Sequence, residues 1–177
     1  MQGQQVGVIF QDESHFELNY LVRRLWSPDP RPRVRLNYQK NERLTVFGGL
    51  DLDDGRLTLA AGEAGNIAHF GAYLQLLQQE YPGYDTLFVV LDRATYHFLA
   101  EDMKQWLEST PQFEFIYLPP YSPECNPIEQ LWRVIKREVA DRFYPDIFTL
   151  ICDVLAWDQR NQPSLCHKYQ QLAGLVF

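Results

Sequence analysis

The most constraining feature of this sequence is a proline-rich stretch between an apolar run and an amphipathic segment. The apolar run at 113–118 predicts a buried strand, and the Pro-Pro-Tyr-Ser-Pro segment that follows can continue neither a strand nor a helix. Asn126 and Pro127 then suit the N-cap and the first position of a helix. Glu129 falls in the first turn of that helix. The stretch therefore predicts a stiff loop that delivers one carboxylate to a fixed place beside a strand end.

A purely structural role for Glu129 stays open at this point. A glutamate at the third helical position can reach back to the backbone N–H of Asn126 as a capping box. A negative charge near a helix N-terminus is also favourable by itself. The choice between a cap and a functional carboxylate therefore depends on the rest of the chain.

Apolar patterning along the chain predicts strands first and then helices that alternate with strands. The predicted strands are 6–10, 15–22, 44–52, 56–59, 86–91 and 113–118, and the predicted helices are 66–80, 99–107, 126–142 and 147–157. The first two strands are predicted to pair as a hairpin, as are the next two. This order predicts an α/β fold, a mixed sheet with antiparallel front strands and parallel additions, flanked by helices.

Three carboxylates stand at the ends of predicted elements. Asp12 follows the first strand, Asp92 follows the most apolar strand, and Glu129 opens the helix after the next strand. In open α/β sheets such positions converge on one crevice. Carboxylates gathered there repel one another unless a cation holds them, and oxygen ligands suit Mg²⁺ or Mn²⁺. A pair of such ions can activate a water for attack on a phosphodiester, although each carboxylate alone can equally be a turn or capping residue.

Other polar residues near these positions are weaker candidates. Glu13 neighbours Asp12, and His97 can contact a phosphate, orient a water or play a local structural role. The basic residues predicted to contact DNA are Arg31, Arg33, Arg35, Arg93, Arg133, Lys136 and Arg137. The segment from Arg23 to Arg43 has seven basic and two acidic residues, a net charge of +5 in a chain of net charge −7. It can be a stripe that meets a phosphate backbone or a solvated basic loop.

Composition indicates a globular protein of the cytoplasm. A chain of 177 residues suits one domain. It has no run of 18 apolar residues, so we expect no transmembrane helix, and its first residues lack the pattern of a signal peptide. Cys125, Cys152 and Cys166 are an odd number without metal-ligand spacing, which fits reduced thiols in a cytoplasm.

Together these residues resemble a known family. The stretch Pro119–Trp132 resembles the third-carboxylate signature of mariner-type DDE transposases, in particular the bacterial insertion-sequence 630 family. Phe10–Phe16 and Val90–His97 resemble the first and second aspartate motifs of that family, and Leu25–Pro28 and Arg142–Pro145 are also similar to it. The resemblance covers nearly the whole chain, and its proline-rich third motif is highly specific.

The resemblance implies a single ribonuclease H-like catalytic domain over residues 1–177. It implies that Asp12, Asp92 and Glu129 are the catalytic triad and bind Mg²⁺ or Mn²⁺, with two ions expected. It also implies hydrolysis at transposon ends and strand transfer into target DNA, with a homodimer as the active complex.

The chain departs from this family in several respects, and two of them bear most on function. Arg93 stands where the family usually has asparagine, and nothing before Val6 resembles the helix-turn-helix region that binds transposon ends. The chain is therefore expected to be a fragment, a catalytic half with a separately encoded DNA-binding half, or a remnant. A catalytically inactive relic or interaction module that keeps the fold stays open as an alternative. An unrelated metal-dependent phosphohydrolase is more remote.

Overall fold

The computed structural model describes residues 5–18, 28, 42–92, 101–120, 122, 125–140 and 142–161. The strands are β1 (Val6–Glu17), β2 (Arg43–Asp51), β3 (Leu57–Gly62), β4 (Thr86–Leu91) and β5 (Phe113–Tyr117). The helices are α1 (Ile67–Glu80), α2 (Glu101–Ser109), α3 (Pro127–Ala140) and α4 (Ile147–Leu155). None of the helices within these residues is long and apolar enough to cross a membrane.

The five strands form one mixed sheet in the order β3-β2-β1-β4-β5. Strand β2 pairs antiparallel with both β1 and β3, whereas β4 pairs parallel with both β1 and β5. The predicted α/β fold, with antiparallel front strands and parallel additions, is therefore confirmed. Because β1, β4 and β5 are parallel, their carboxyl ends meet at the same edge of the sheet.

The first strand differs from its prediction. A hairpin of strands at 6–10 and 15–22 is wrong, because β1 continues unbroken and its second half pairs with β2 instead. The polar residues that were expected to end the first strand stay extended, and two of them, Gln11 and Ser14, are buried at 1% and 5% exposure. Asp12 consequently lies inside β1 rather than at its end.

The remaining elements follow the predicted order with changes at their ends. The predicted second hairpin is confirmed as β2 and β3, and Gly55 in its turn has a φ of 72°, which glycine adopts without strain. The N-cap predicted at Asn66 is confirmed, because its side chain accepts a hydrogen bond from the N–H of His69. Helix α3 ends at Ala140 rather than near Arg142.

Helices cover both faces of the sheet. Successive side chains of a strand point to opposite faces, so β1 contributes Ile9 to one core and Phe16 to the other. The core around Ile9 is closed by α1 through buried residues such as Leu74. The core around Phe16 is closed by α3 and α4 through residues such as Trp132. The first strand is thus held from both sides, and its carboxyl end is fixed at the sheet edge.

Candidate functional site

The candidate site lies where β1 and β4 separate. Their parallel pairing ends with Phe10 opposite Val90. Asp12 and Asp92 each lie two positions beyond that last pair, so the register brings them side by side. Both line one open cavity of about 440 Å³. Separation points of this kind are where open α/β sheets bind ligands.

The electrostatics of this edge are dominated by negative charge. Burial raises the pKa of the Asp12 carboxyl to about 8, and the charges of Glu129, Glu13 and Asp92 act in the same direction. A hydrogen bond from the backbone of Glu13 opposes them. Glu13 also lines the cavity and accepts a hydrogen bond from Nε2 of Gln11 at 3.2 Å. The carboxylates that line the cavity outnumber its one arginine, Arg43, so the described part of the site would attract a cation.

Glu129 approaches the same edge from the first turn of α3. After burial, its charge is the largest influence on the pKa of Asp12, which means that the two carboxylates are close. The backbone N–H of Glu129 donates to the carbonyl of Asn126 at 3.1 Å. Its side chain makes no hydrogen bond to the described residues, so the capping-box alternative is not realised among them.

Asn126 has a different contact from the one predicted. Its side chain is 3% exposed, and its Nδ2 donates to the backbone carbonyl of Gln11 at 3.0 Å. Its Oδ1 has no hydrogen-bond partner among the described residues. Helix α3 begins at Pro127 as predicted, so Asn126 stands at the N-cap position, but its side-chain amide donates to β1 and its Oδ1 caps no backbone N–H among the described residues. This contact ties the start of α3 to the residue that precedes Asp12.

The three carboxylates are neighbours but do not form a finished metal site. Among the residues that the structure describes, no three His, Cys, Asp or Glu side chains are close enough together to hold one ion. One Asp12 oxygen instead accepts a hydrogen bond from the indole of Trp132. The arrangement offers hard oxygen donors at one edge, which is the donor type that Mg²⁺ and Mn²⁺ prefer.

The predicted DNA-contacting residues fall into two groups. On α3, Arg133 and Arg137 are exposed, whereas the Lys136 ammonium lies 5.6 Å from the centre of the Phe16 ring. The three α3 residues lie on the helix that also carries Glu129. The other predicted site residues lie outside the described part of the chain, namely Arg31, Arg33, Arg35, Arg93 and His97.

Three residues of this region were missed by the sequence analysis. Trp132 donates from Nε1 to Oδ2 of Asp12 at 3.0 Å. His15 and Arg43 line the cavity, and the Arg43 charge adds to burial in lowering the pKa of His15. Trp132 stands inside the proline-rich motif and Arg43 ends the basic segment, so both carried a signal. Their contacts are with residues distant in sequence, which local patterning does not predict.

Comparison with known proteins identifies relatives of this chain. A family model described as DDE superfamily endonuclease matches residues 7–151. The "Insertion element IS630 uncharacterized 39 kDa protein" of Shigella sonnei is 27% identical to this chain over 128 residues. That match covers 72% of this chain and 37% of the relative, so the chain spans well under half of the relative's length.

Solved structures share the architecture. The mariner Mos1 paired-end complex with Mg matches with a TM-score of 0.67 at 18% identity, covering 95% of this chain and 52% of the other. The HTLV-2 integrase catalytic core domain in complex with magnesium matches with a TM-score of 0.52 at 11% identity, covering 86% and 83%. At such identities the matches bear on the fold alone, and they confirm the ribonuclease H-like architecture implied by the sequence.

Proposed function

The chain belongs to the DDE superfamily endonucleases, and we propose that it is the catalytic domain of a DNA transposase. In this proposal it hydrolyses phosphodiester bonds at transposon ends and joins those ends to target DNA. The observation that carries the proposal is the gathering of Asp12, Asp92 and Glu129 where β1 and β4 separate. The relatedness to an insertion-element protein supports the same function.

Asp12, Asp92 and Glu129 are the residues proposed to hold divalent metal, Mg²⁺ or Mn²⁺, with two ions expected. Their chemistry fits, because all three offer carboxylate oxygens and the site concentrates negative charge. Bound ions would supply an activated water and stabilise the leaving oxygen of the phosphodiester. Since the three side chains do not yet converge on one point, they would have to rotate toward one another to share an ion.

Basic residues around the site are proposed to hold the DNA backbone. Arg133, Lys136 and Arg137 lie on the helix that carries Glu129, and Arg43 lines the cavity that contains Asp12. Phosphate contacts of this kind position a duplex without selecting its sequence. The proposed contacts of Arg31, Arg33, Arg35 and Arg93 stay predictions from the sequence, as does an auxiliary role for His97.

The assembly and setting of the protein also stay predictions. We expect a homodimer on paired transposon ends, because two ends have to be cut and joined together. A separately encoded DNA-binding half and a location in the cytoplasm are expected from the sequence in the same way. One catalytic domain over residues 1–177 is the corresponding proposal for its organisation.

The proposal is tested by Mn²⁺-supported nicking of an end-labelled DNA duplex by the purified chain. We expect Asp92→Ala to lower the nicking rate by at least about a thousandfold, because it removes a ligand of the reacting centre. Asp53→Ala is the matched control, since Asp53 is exposed in the β2–β3 turn at the opposite edge of the sheet. An Asp92→Ala variant that nicks at the rate of the parent chain would contradict the proposed role.

A catalytically inactive domain that keeps the fold is the second candidate. It is favoured by one observation, the lack of three converging ligand side chains among the described residues. Calorimetric titration with Mn²⁺ separates the two candidates. A folded chain that neither nicks DNA nor binds Mn²⁺ would establish the inactive domain.

A further inference from the structure

Trp132 makes a contact that the proposed chemistry has not used. Its indole Nε1 donates to Oδ2 of Asp12 at 3.0 Å, and the residue is 3% exposed. An indole N–H can only donate, and it does not titrate in the range where proteins work. The bond therefore joins a neutral, permanent donor on α3 to one oxygen of a carboxylate on β1.

A glycine leaves the space that the indole of Trp132 occupies. Gly48 lies directly opposite Asp12 in the β1–β2 register. A Cβ added at Gly48 would lie 2.6 and 2.7 Å from two ring carbons of Trp132, so only a residue without a side chain leaves room for the ring. Phe16 meets the same ring edge-on, with 6.1 Å between ring centroids. Strand β2 and strand β1 together form a slot for the indole beside Asp12.

A second contact fixes the same helix against the same strand. The side chain of Asn126 donates to the carbonyl of Gln11 at 3.0 Å. Helix α3 is therefore tied to two consecutive residues of β1, Gln11 and Asp12, by donors six residues apart along the helix start. Glu129 lies between these two donors in the chain, so the same two bonds fix its place relative to Asp12.

We propose that Trp132 is a positioning residue for Asp12 and that Gly48 makes this role possible. The inference rests on the proposed function, since it assigns to Trp132 the task of presenting the Asp12 carboxylate to a divalent metal ion. Trp132 itself does not touch the ion or the DNA in this proposal.

The indole suits this positioning role because it is a neutral donor. A lysine or arginine in this place would also hold the carboxylate, but its charge would oppose the binding of a cation. An indole N–H fixes one oxygen and adds no positive charge that would compete with a bound cation. Hydrogen bonds from surrounding residues that orient a metal ligand typically change metal affinity or activity by roughly 10- to 100-fold.

The decisive variant is Trp132→Phe, which removes the N–H and keeps an aromatic ring in the slot. Trp157→Phe is a matched control, because Trp157 is also 3% exposed in the same core and donates Nε1 to a carboxylate, Oε2 of Glu138, at 2.8 Å. We expect Trp132→Phe to weaken Mn²⁺ binding in calorimetry and to slow nicking by roughly 10- to 100-fold each. Trp157→Phe should lose a comparable amount of unfolding free energy, measured by denaturant titration. Its Mn²⁺ affinity and its nicking rate should nevertheless stay unchanged.

A measurement on the unmodified chain covers the case in which Trp132→Phe does not fold. In a ¹⁵N-indole NMR spectrum, titration with Mg²⁺ should move the Trp132 N–H resonance and leave the Trp157 resonance in place. Gly48→Ala, which keeps Trp132 but crowds its slot, should reduce that movement and weaken Mn²⁺ binding.

The outcomes separate this inference from the function on which it rests. Equal Mn²⁺ affinity in Trp132→Phe and Trp157→Phe, or a Trp132 resonance that ignores Mg²⁺, overturns the role of Trp132 and leaves the proposed function standing. A parent chain that binds no Mn²⁺ overturns both.

Discussion

Two aspartates of this molecule, Asp12 on β1 and Asp153 on α4, are held in opposite ways. Asp153 accepts hydrogen bonds from Arg142 at 2.7 Å and from the Tyr144 hydroxyl, and it forms an ion pair with Arg160 at 2.8 Å. Burial alone would raise the pKa of Asp153, but the Tyr144 hydrogen bond and the two arginine charges outweigh it and lower the pKa. Asp12 has a neutral indole donor and three neighbouring carboxylates, and its pKa is raised to about 8.

The opposite pKa shifts of Asp12 and Asp153 indicate different roles for the two carboxylates. Where a carboxylate serves the fold, as on α4, the chain supplies the positive charge that stabilises it. At the edge of the sheet, the charges that most affect the pKa of Asp12 come from three carboxylates, and its side-chain hydrogen-bond donor is a neutral indole, which is costly unless a cation arrives from outside. The comparison supports the proposal that Asp12 binds metal, whereas Asp153 stabilises the fold, and each role can be tested separately.

The largest effect on stability is expected at Asp153. Asp153→Ala should lower the free energy of unfolding by about 2–3 kcal/mol, because the Tyr144 hydroxyl loses its acceptor and two partly exposed arginines lose their partner. Denaturant titration at pH 7 measures the change. Asp153→Asn is the control, since it keeps an acceptor for Tyr144 and should lose less.

The sign of the pH dependence checks the same assignment. Because the folded-state pKa of Asp153 is lowered, its contribution is present above the unfolded pKa and is lost as the pH falls. The difference in unfolding free energy between the parent chain and Asp153→Asn should therefore shrink as the pH is lowered. A difference in unfolding free energy that is constant with pH would mean that the charge of Asp153 does not contribute to stability.

The sequence predicted the parts of the fold that depend on local pattern. The apolar run at 86–91 and the helix after Asn66 follow from periodicity and a capping residue, and both are found. Asp92 and Glu129 could be singled out because a strand end and a proline-rich motif mark them in the chain, whereas Asp12 was singled out by a predicted strand end that the structure does not have. Their gathering then depended on one topological assumption, that β1 and β4 are neighbours, which the sheet order bears out.

The parts of the fold and of the site that the sequence did not predict depend on contacts between residues far apart in the chain. Polar residues such as Gln11 resembled the end of a strand, because nothing local shows that β2 extends the sheet along them. Asn126 resembled an ordinary cap, since its partner is a carbonyl 115 residues away. The slot that Gly48 makes for Trp132 likewise exists only after two strands and a helix have packed.

Replacing Asp12 is expected to change the free energy of unfolding by less than replacing Asp153, and to raise it rather than lower it. A carboxyl whose folded pKa is raised favours the folded state when protonated, so its contribution is present below the unfolded pKa of 3.8 and is lost as the pH rises to about 8. Without divalent metal, Asp12→Asn should therefore be more stable than the parent chain above pH 8, by on the order of 2 kcal/mol.

The measurement for Asp12 is the free energy of unfolding in the presence of EDTA at several pH values between 4 and 9, compared between the two proteins. The difference should be small at the acid end and grow toward the alkaline end. If Asp12→Asn were destabilised at pH 9, Asp12 would be a structural carboxylate like Asp153, and the contrast between them would disappear.

The smallest expected effect is the stabilisation of the folded chain by metal. A ligand present at ten times its dissociation constant stabilises the state that binds it by about 1.4 kcal/mol. At pH 8 we expect Mn²⁺ at that level to raise the unfolding free energy of the parent chain and of Asp153→Asn by this amount, because both retain the three site carboxylates. Asp12→Asn should gain little, since the ion would lose a charged ligand. Equal gains in Asp12→Asn and the parent chain would show that Mn²⁺ binds elsewhere, and the negative charge gathered beside β1 would then need a different explanation.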